Sequence, residues 1–423
     1  GTVDIDATGV TTIAALGDIN AGGAVTFGAN KTGTLTTAGD ITTTDDNITF
    51  TRAVTLNAPV TVDTAGNLTG NILFSSTIAT GGNTLTLDAG PAGNITLAGT
   101  LSGGGDVTVV DGNVQQFADM TVNKLTINDA TTSVTVGGTV TATTSIAVTS
   151  GGNVILGDLV TSNTGSVITI NAGGNVSDGN GGTLNVDAPD AKLTITAATG
   201  IGAGDALEIK VKEIDAFSTA GDVRLAETDA ITLTRVKTDG NIGITTGGDT
   251  VLTLVEGGST VDVNVAGNIT LSNLTGTGTI NLTASGNIDG GVIGQEGAHA
   301  NINAATIGLN AKVMPNFSTI KLVLSQEVGG KSGVFSKGGK LQEAGQDANL
   351  TAPGTVTIGD TIYKLGIDPN KLAAQASAFG SSTALKLEEL LALVTHAEFF
   401  MTPPLEIYIQ MAKENEELDQ LPE

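Results

Sequence analysis

A short signal, Gly then Asn or Asp then an apolar residue, recurs along this chain and limits what it can become. It stands at Gly17, Gly39, Gly66, Gly93, Gly105, Gly152, Gly174, Gly221, Gly240, Gly267 and Gly286, with many gaps of 19, 22 or 27 residues or about twice that. Between the signals, short runs alternate apolar and polar residues (Val261, Val263, Val265; Ile269, Leu271; Ile280, Leu282), the two-residue period of a strand. Self-similarity at this length marks a solenoid, because one coil cannot bury its apolar side until neighbours stack on it. In the opening region a bulky residue returns at intervals of 23, 24 and 23: Phe27, Phe50, Phe74 and Leu97. In a parallel β-coil like residues fall above like residues about 4.8 Å apart, so these four are expected to stack in one interior column.

Composition agrees with a narrow interior. Gly makes up 59 of 423 residues and aromatics only 3%, too few for an ordinary packed globule, yet the 39% hydrophobic content is too high for a disordered chain. Net charge is −25, which favours solubility and repels phosphate backbones and anionic lipid. Nucleic acid is therefore not an expected partner. There is no cysteine, so neither a disulfide framework nor a Cys-based zinc site is available. No apolar run is long enough for a membrane span, and no leader precedes the strand-like start at Gly1, which suggests a processed product or a fragment.

Three regions are expected: a parallel β-solenoid of roughly 13–14 coils over 1–310, a short-strand capping region over 311–366 and a helical tail over 367–423. The rungs are cleanest up to Ala98, less regular to Ala198, and more charged from Gly200 to Asp239, where a solvated outer face is expected. The cluster Ser177-Asp-Gly-Asn-Gly-Gly182 reads as a turn looping out of a coil. Nine of the 18 basic residues lie from Lys312 onwards. There Lys321–Leu324 and Gly333–Phe335 suit a hairpin, Thr355–Ile358 a further strand, and Asp368-Pro369, Ser382 and Thr402-Pro403 suit helix starts. Such a tail would cover the strand edges that the last coil of a solenoid exposes.

Catalytic constellations are scarce. The two histidines, His299 and His396, lie on opposite sides of the composition break, so a nucleophile–histidine–acid triad would need a long-range coincidence. A polysaccharide lyase or hydrolase on a solenoid face is an alternative, but Arg is limited to Arg52, Arg224 and Arg235, Trp is absent and both tyrosines lie in the tail. No catalytic, cofactor-binding or metal-binding residue is assigned, and no enzyme is expected. Asp4/Asp6, Asp45/Asp46, Asp178 with Asn180, and Gly103-Gly-Gly-Asp106 could be offered to calcium, yet they read more simply as solvated turn carboxylates. The Asn-x-Ser/Thr sites (Asn47, Asn67, Asn94, Asn175, Asn268, Asn273, Asn281) follow from turn–strand grammar. The pairs Thr34/Thr36, Thr42/Thr44 and Thr141/Thr143 would line one flat face, as on some ice-binding solenoids, though outward Thr is ordinary strand chemistry. Phe399, Phe400 and Met401 form the densest apolar cluster and are the candidate partner contact.

Asn47-Ile-Thr-Phe-Thr-Arg-Ala-Val-Thr-Leu-Asn-Ala-Pro-Val-Thr-Val62, Leu85-Thr-Leu-Asp-Ala-Gly90, Gly93-Asn-Ile-Thr-Leu97 and Ala266-Gly-Asn-Ile-Thr-Leu271 resemble the repeats of filamentous haemagglutinin-like giant exoproteins of bacteria, over about residues 1–310. The resemblance implies a secreted, right-handed parallel β-helix, exported through an outer-membrane secretion partner and used as an adhesin or surface fibre. The expectation is an all-β, right-handed parallel β-helix (β-solenoid) with a small α/β C-terminal capping region. It would be secreted or held at a bacterial cell surface, and bind a host or cell-surface ligand or other copies of itself. Two further functions are set beside the adhesin or rod: a self-assembling subunit of an extracellular filament or sheath, and the polysaccharide-active enzyme.

Overall fold

The computed structural model describes residues 1–286 apart from 29–32, 66–68, 203 and 278, and beyond them the backbone of the strands between 287 and 365. It is all-β, and no helix occurs among the described residues. The chain divides into two compact units, Gly1–Thr228 and Asp229–Glu423. Both are built on stacked parallel strands, with antiparallel pairs added in the second from Thr319 onward, and the chain carries about 13 turns of a β-solenoid. The helical tail and the Phe399–Met401 cluster expected from the sequence lie outside the described residues.

In the first unit each early coil contributes three short strands, one to each face. The first face is a nine-stranded parallel sheet that starts with Val3–Ile5, Val25–Phe27, Ile48–Phe50, Ile72–Phe74 and Ile95–Leu97. The second begins Thr11–Ile13, Leu35–Thr37 and Val54–Leu56, and the third Ile19–Ala21, Ile41–Thr43 and Val60–Asp63. From Met120–Ile127 onward some second- and third-face segments fuse into one long strand, as in Thr139–Ser150, Val186–Ala197 and Leu207–Ser218.

Three-residue strands suffice because the alternation is strict. The middle residue points out, and both flanking residues are buried in Val25–Phe27, Ile48–Phe50 and Ile72–Phe74. The predicted column is present: Phe27, Phe50, Phe74 and Leu97 are in register. Phe50 stacks on Phe27 with centroids 5.1 Å apart and on Phe74 at 4.1 Å, the rings nearly parallel. Phe117 continues the column above Leu97, an addition that the irregular spacing after residue 98 conceals.

At the end of the third face the chain turns back by one device. Asp63 accepts the Ala65 N–H at 2.5 Å and Asp88 accepts the Gly90 N–H at 3.0 Å, each carboxylate closing a turn over its own backbone. The third residue then sits in the left-handed region, at φ +66° for Gly90 and +50° for Ala65. Glycine holds that conformation without strain, whereas a Cβ makes it unfavourable by about 1–2 kcal/mol. Ala65→Gly should therefore raise unfolding stability by about 0.5–1 kcal/mol after the added freedom of the unfolded chain is subtracted. Urea unfolding checks this, and an unchanged or lowered midpoint would refute it.

The second unit is more regular. Ile231, Thr250, Ile269 and Ile288 lie in one register column, and Ile242, Val261 and Ile280 in another, so each of these coils is 19 residues long. The hairpin anticipated from sequence is present, with Thr319–Leu324 antiparallel to Gly333–Ser336. The strand anticipated at Thr355–Ile358 appears as Gly354–Ile358, paired in parallel with Thr306–Leu309.

Candidate functional site

The polar residues of the described region fall into four groups: a corner ladder, an interior amide cage, a buried guanidinium and charged outer positions. The corner before the first face carries Asn47, Asn71, Asn94 and Asn113, one per coil. Asn47 Oδ1 accepts the backbone N–H and the side-chain amide of Asn71, at 2.8 and 3.0 Å. Asn71 Oδ1 accepts the Asn94 N–H at 2.8 Å, and Asn94 Oδ1 accepts the Val114 N–H at 3.1 Å. This recurring position accounts for Asn47-Ile-Thr and Asn94-Ile-Thr, where Asn closes the corner and the two strand residues that follow point in and then out, whereas Asn273 and Asn281 lie within strands. In the second unit Asp249 does the same for Asn268.

The glycine-rich insert lies where expected, with one correction. Ser177 and Asp178 belong to the strand Val176–Asp178, and the loop runs over 179–185 with Gly181 and Gly182 in the left-handed region. Its organiser is Asn185, which has no exposed surface. The Asn185 side-chain nitrogen lies 2.8 Å from Asp178 Oδ1, 2.9 Å from Asn180 Oδ1, and 3.1 and 3.3 Å from the Leu156 and Gly157 carbonyl oxygens. Its oxygen accepts the Glu208 N–H at 3.0 Å. Asp178 also accepts from the backbone of Asn180 and Gly181. Burial opposes the Asp178 charge, but these donors and the Asn185 amide outweigh it and hold the carboxyl below the ordinary aspartate range. The oxygens that Asp178 and Asn180 could offer to calcium thus surround an internal amide donor.

Gly103 and Gly104 form a left-handed turn, and the Asp106 carboxylate accepts the Asn123 amide at 2.7 Å. Asp45 has φ +60°, and its N–H donates to the Thr64 carbonyl. Asp4 is exposed. No group of three or more His, Asp or Glu able to hold a metal ion occurs among the described residues.

The Thr pairs do not share a face. Thr36 stacks with Thr12 and Thr55, and Thr141 with Thr121, on the second face, whereas Thr42 pairs with Asn20 on the third. Corners decide which face a pair joins, and spacing within a pair carries no information on that. A longer outward column runs along the third face through Thr61, Thr86, Thr108 and Thr126.

Arg52 is buried in the first coils, only 3% exposed. Its guanidinium donates to Thr11 Oγ1 at 3.1 Å and to the carbonyls of Ile5 and Ala7 at 3.3 and 3.1 Å, reaching residues more than 40 positions away. Gly28 makes room, since a Cβ there would fall 2.4 Å from Nε. Arg52 thus fastens coils together from inside rather than facing a substrate. Between Gly200 and Asp239 the charges lie outside, as expected from sequence, except for Glu227, which is buried and accepts the Val211 and Thr228 N–H groups at 3.1 and 3.0 Å. Lys192–Glu213 and Lys237–Glu256 pair across adjacent rungs at 2.7 and 2.8 Å, with roughly 40% of each side chain exposed. Solvent-screened pairs of this kind contribute about 0–1 kcal/mol each.

His299 lies in the strand His299–Ala304, and His396 outside the described residues. No helix of the described residues is long and apolar enough to cross a membrane. Comparison with protein-family models, with curated proteins and with solved structures gives no match to this chain.

Proposed function

We propose that this chain is a non-catalytic, secreted or cell-surface β-solenoid that serves as an adhesin or structural rod and meets a host or cell-surface ligand with its outer faces. The observation behind the reading is the division of labour within each rung. Inward residues are committed to stacking, while outward positions in register, such as Thr12–Thr36–Thr55 and Thr61–Thr86–Thr108–Thr126, present hydroxyls along the stack. Repeated hydroxyl and amide groups suit multivalent, individually weak contact with an extended surface. Antibody labelling of intact, unpermeabilised source cells and of their medium tests it. Signal on the surface or in the medium, with saturable binding of the purified chain to cells, is the expected result; a protein confined to the cell interior would end this reading.

The second reading is a self-assembling subunit of an extracellular filament or sheath: each rung is held to the next by backbone pairing in register, the geometry that a polymer of such chains would repeat. Negative-stain electron microscopy of the native material, with intact mass, separates the two readings: filaments repeating at one chain length support the subunit, and isolated particles at high concentration exclude it.

A further inference from the structure

Asp63, Asp88 and Asp111 end three successive strands of the third face and lie in register, each half-buried and pointing outward. Adjacent rungs of a parallel sheet are about 4.8 Å apart, so the carboxyl groups form a column of like charges at near-contact spacing. Exposed Asp129 follows at the turn above. The surrounding charges are also negative: Asp45 and Asp46 at the corner below Asp63, and Asp18, Asp40 and Asp106 at the opposite corner of the face. Lys124 is the one basic residue on the next strand of the stack, and it lies five positions before Asp129, at the far end of the face. Asp63 and Asp88 each have one oxygen held by their own turn, and Asp111 Oδ1 is buried without a partner.

We propose that this aspartate column is a proton-operated fastening: at neutral pH its mutual repulsion loosens the third face, and in mild acid shared protons between neighbouring rungs tighten it. A carboxyl beside a carboxylate can donate to it, which turns a repulsive contact into a hydrogen bond. The direction agrees with the titration of the groups. Burial raises Asp88 and Asp111 above the ordinary aspartate range, partly countered by the Gly90 and Gly112 N–H groups and reinforced by Asp63 for Asp88 and by Asp129 and Asp88 for Asp111. A carboxyl raised in the folded state binds its proton more tightly there than in the unfolded chain. Its contribution to stability therefore grows as pH falls through the raised value toward about 4, and is lost as pH rises. Burial likewise raises Asp158 and Glu208, which act in the same sense, whereas Asp178 acts in the opposite one.

The test is thermal unfolding of the full chain at pH 7.5 and 4.5, at 0.15 and 0.5 M NaCl, for the wild type, Asp88→Asn with Asp111→Asn, and Asp4→Asn with Asp190→Asn. The third protein loses the same net charge from exposed positions outside the column. Asn keeps the acceptor that closes each turn. The wild type should melt about 2–4 °C higher at pH 4.5, a gain that survives high salt because the groups are half-buried. The column variant should melt higher at pH 7.5 and lose most of the pH gain, while the control pair keeps it. An equal gain in the column variant, or a column variant that melts lower than wild type at pH 7.5, would overturn the proposal. Carboxyl-carbon NMR titration of the unmodified protein is an independent check: Asp88 and Asp111 must take up protons at higher pH than an ordinary aspartate, and ordinary titration at both would overturn the proposal as well.

Discussion

Phe50→Ala should destabilise the first unit by about 3–5 kcal/mol, the range for removing a buried aromatic ring. Phe50 is 1% exposed and lies between two other rings, at 5.1 and 4.1 Å. The substitution therefore opens a cavity and removes two aromatic contacts, each contributing about 0.5–1.5 kcal/mol beyond area burial. Relaxation is limited because the strand backbone is held by hydrogen bonds to the coils on either side; Val25 N–H, for instance, donates to the Asn47 carbonyl and Ile48 N–H to the Asn71 carbonyl. Phe50→Leu keeps most of the volume, as Leu97 already does two coils further along. Its cost should be about 1–1.5 kcal/mol. In a solenoid each coil interacts chiefly with its neighbours. Amide exchange should therefore accelerate around Phe27 and Phe74 first and be little changed near Ile170. A loss below about 1 kcal/mol for Phe50→Ala in urea unfolding would mean that the stack does not hold these coils together.

Asn185→Ala is the second large effect, about 2–4 kcal/mol. It strips the Glu208 N–H of its acceptor in a fully buried position, whereas the Leu156 and Gly157 carbonyls keep the Gly179 N–H and the Asn180 amide as donors; an unpaired buried group costs about 1–3 kcal/mol, and the vacated space adds to it. Asn185→Asp is the sharper experiment because the shape of the side chain is unchanged. At neutral pH it sets a second carboxylate against Asp178 and the same carbonyl oxygens, so it should be the less stable of the two and recover in part on acidification. Asp178 itself gives the opposite slope. Its carboxyl is held below the ordinary range, so the stability it contributes is present above the unfolded aspartate value and lost as pH falls through its own. Paired melts at pH 7.5 and 4.5 read the recovery of Asn185→Asp, the Asp178 slope is read in stronger acid, below the ordinary aspartate value of about 4, and an Asn185→Asp protein that melts like the wild type at both pH values would show the cage to be dispensable.

Much of this architecture is legible in the chain because stacking writes itself into spacing. Phe27, Phe50, Phe74 and Leu97 betray their column by interval alone, and Gly-Asn-apolar marks the corner where a side chain closes the coil. Polarity misleads in the interior. Arg52, Asn185 and Gln115 are all buried, yet alternation rules place such residues outside; what puts them within is coil register, which depends on contacts from 14 to 47 residues away. Ser177 and Asp178 read as loop for the converse reason: a strand end built of polar residues carries no apolar signal. The aspartate column leaves a trace in Val-Thr-Val-Asp63, Leu-Thr-Leu-Asp88 and Val-Thr-Val-Val-Asp111, but only the bulge between Leu87 and Asp88 lets the extra valine of the third run be absorbed.

The 19-residue step of the second unit has a consequence for how such a chain changes length. Ile231, Thr250 and Ile269 occupy equivalent positions, as do Ile242, Val261 and Ile280. Excising residues 250–268, or copying them in tandem, would rejoin strands of matching phase and leave every other rung with a neighbour of the kind it already has. Coil number in this unit is accordingly a variable that recombination can count up or down in whole steps, whereas a gain or loss of one residue within a strand would turn its apolar side outward.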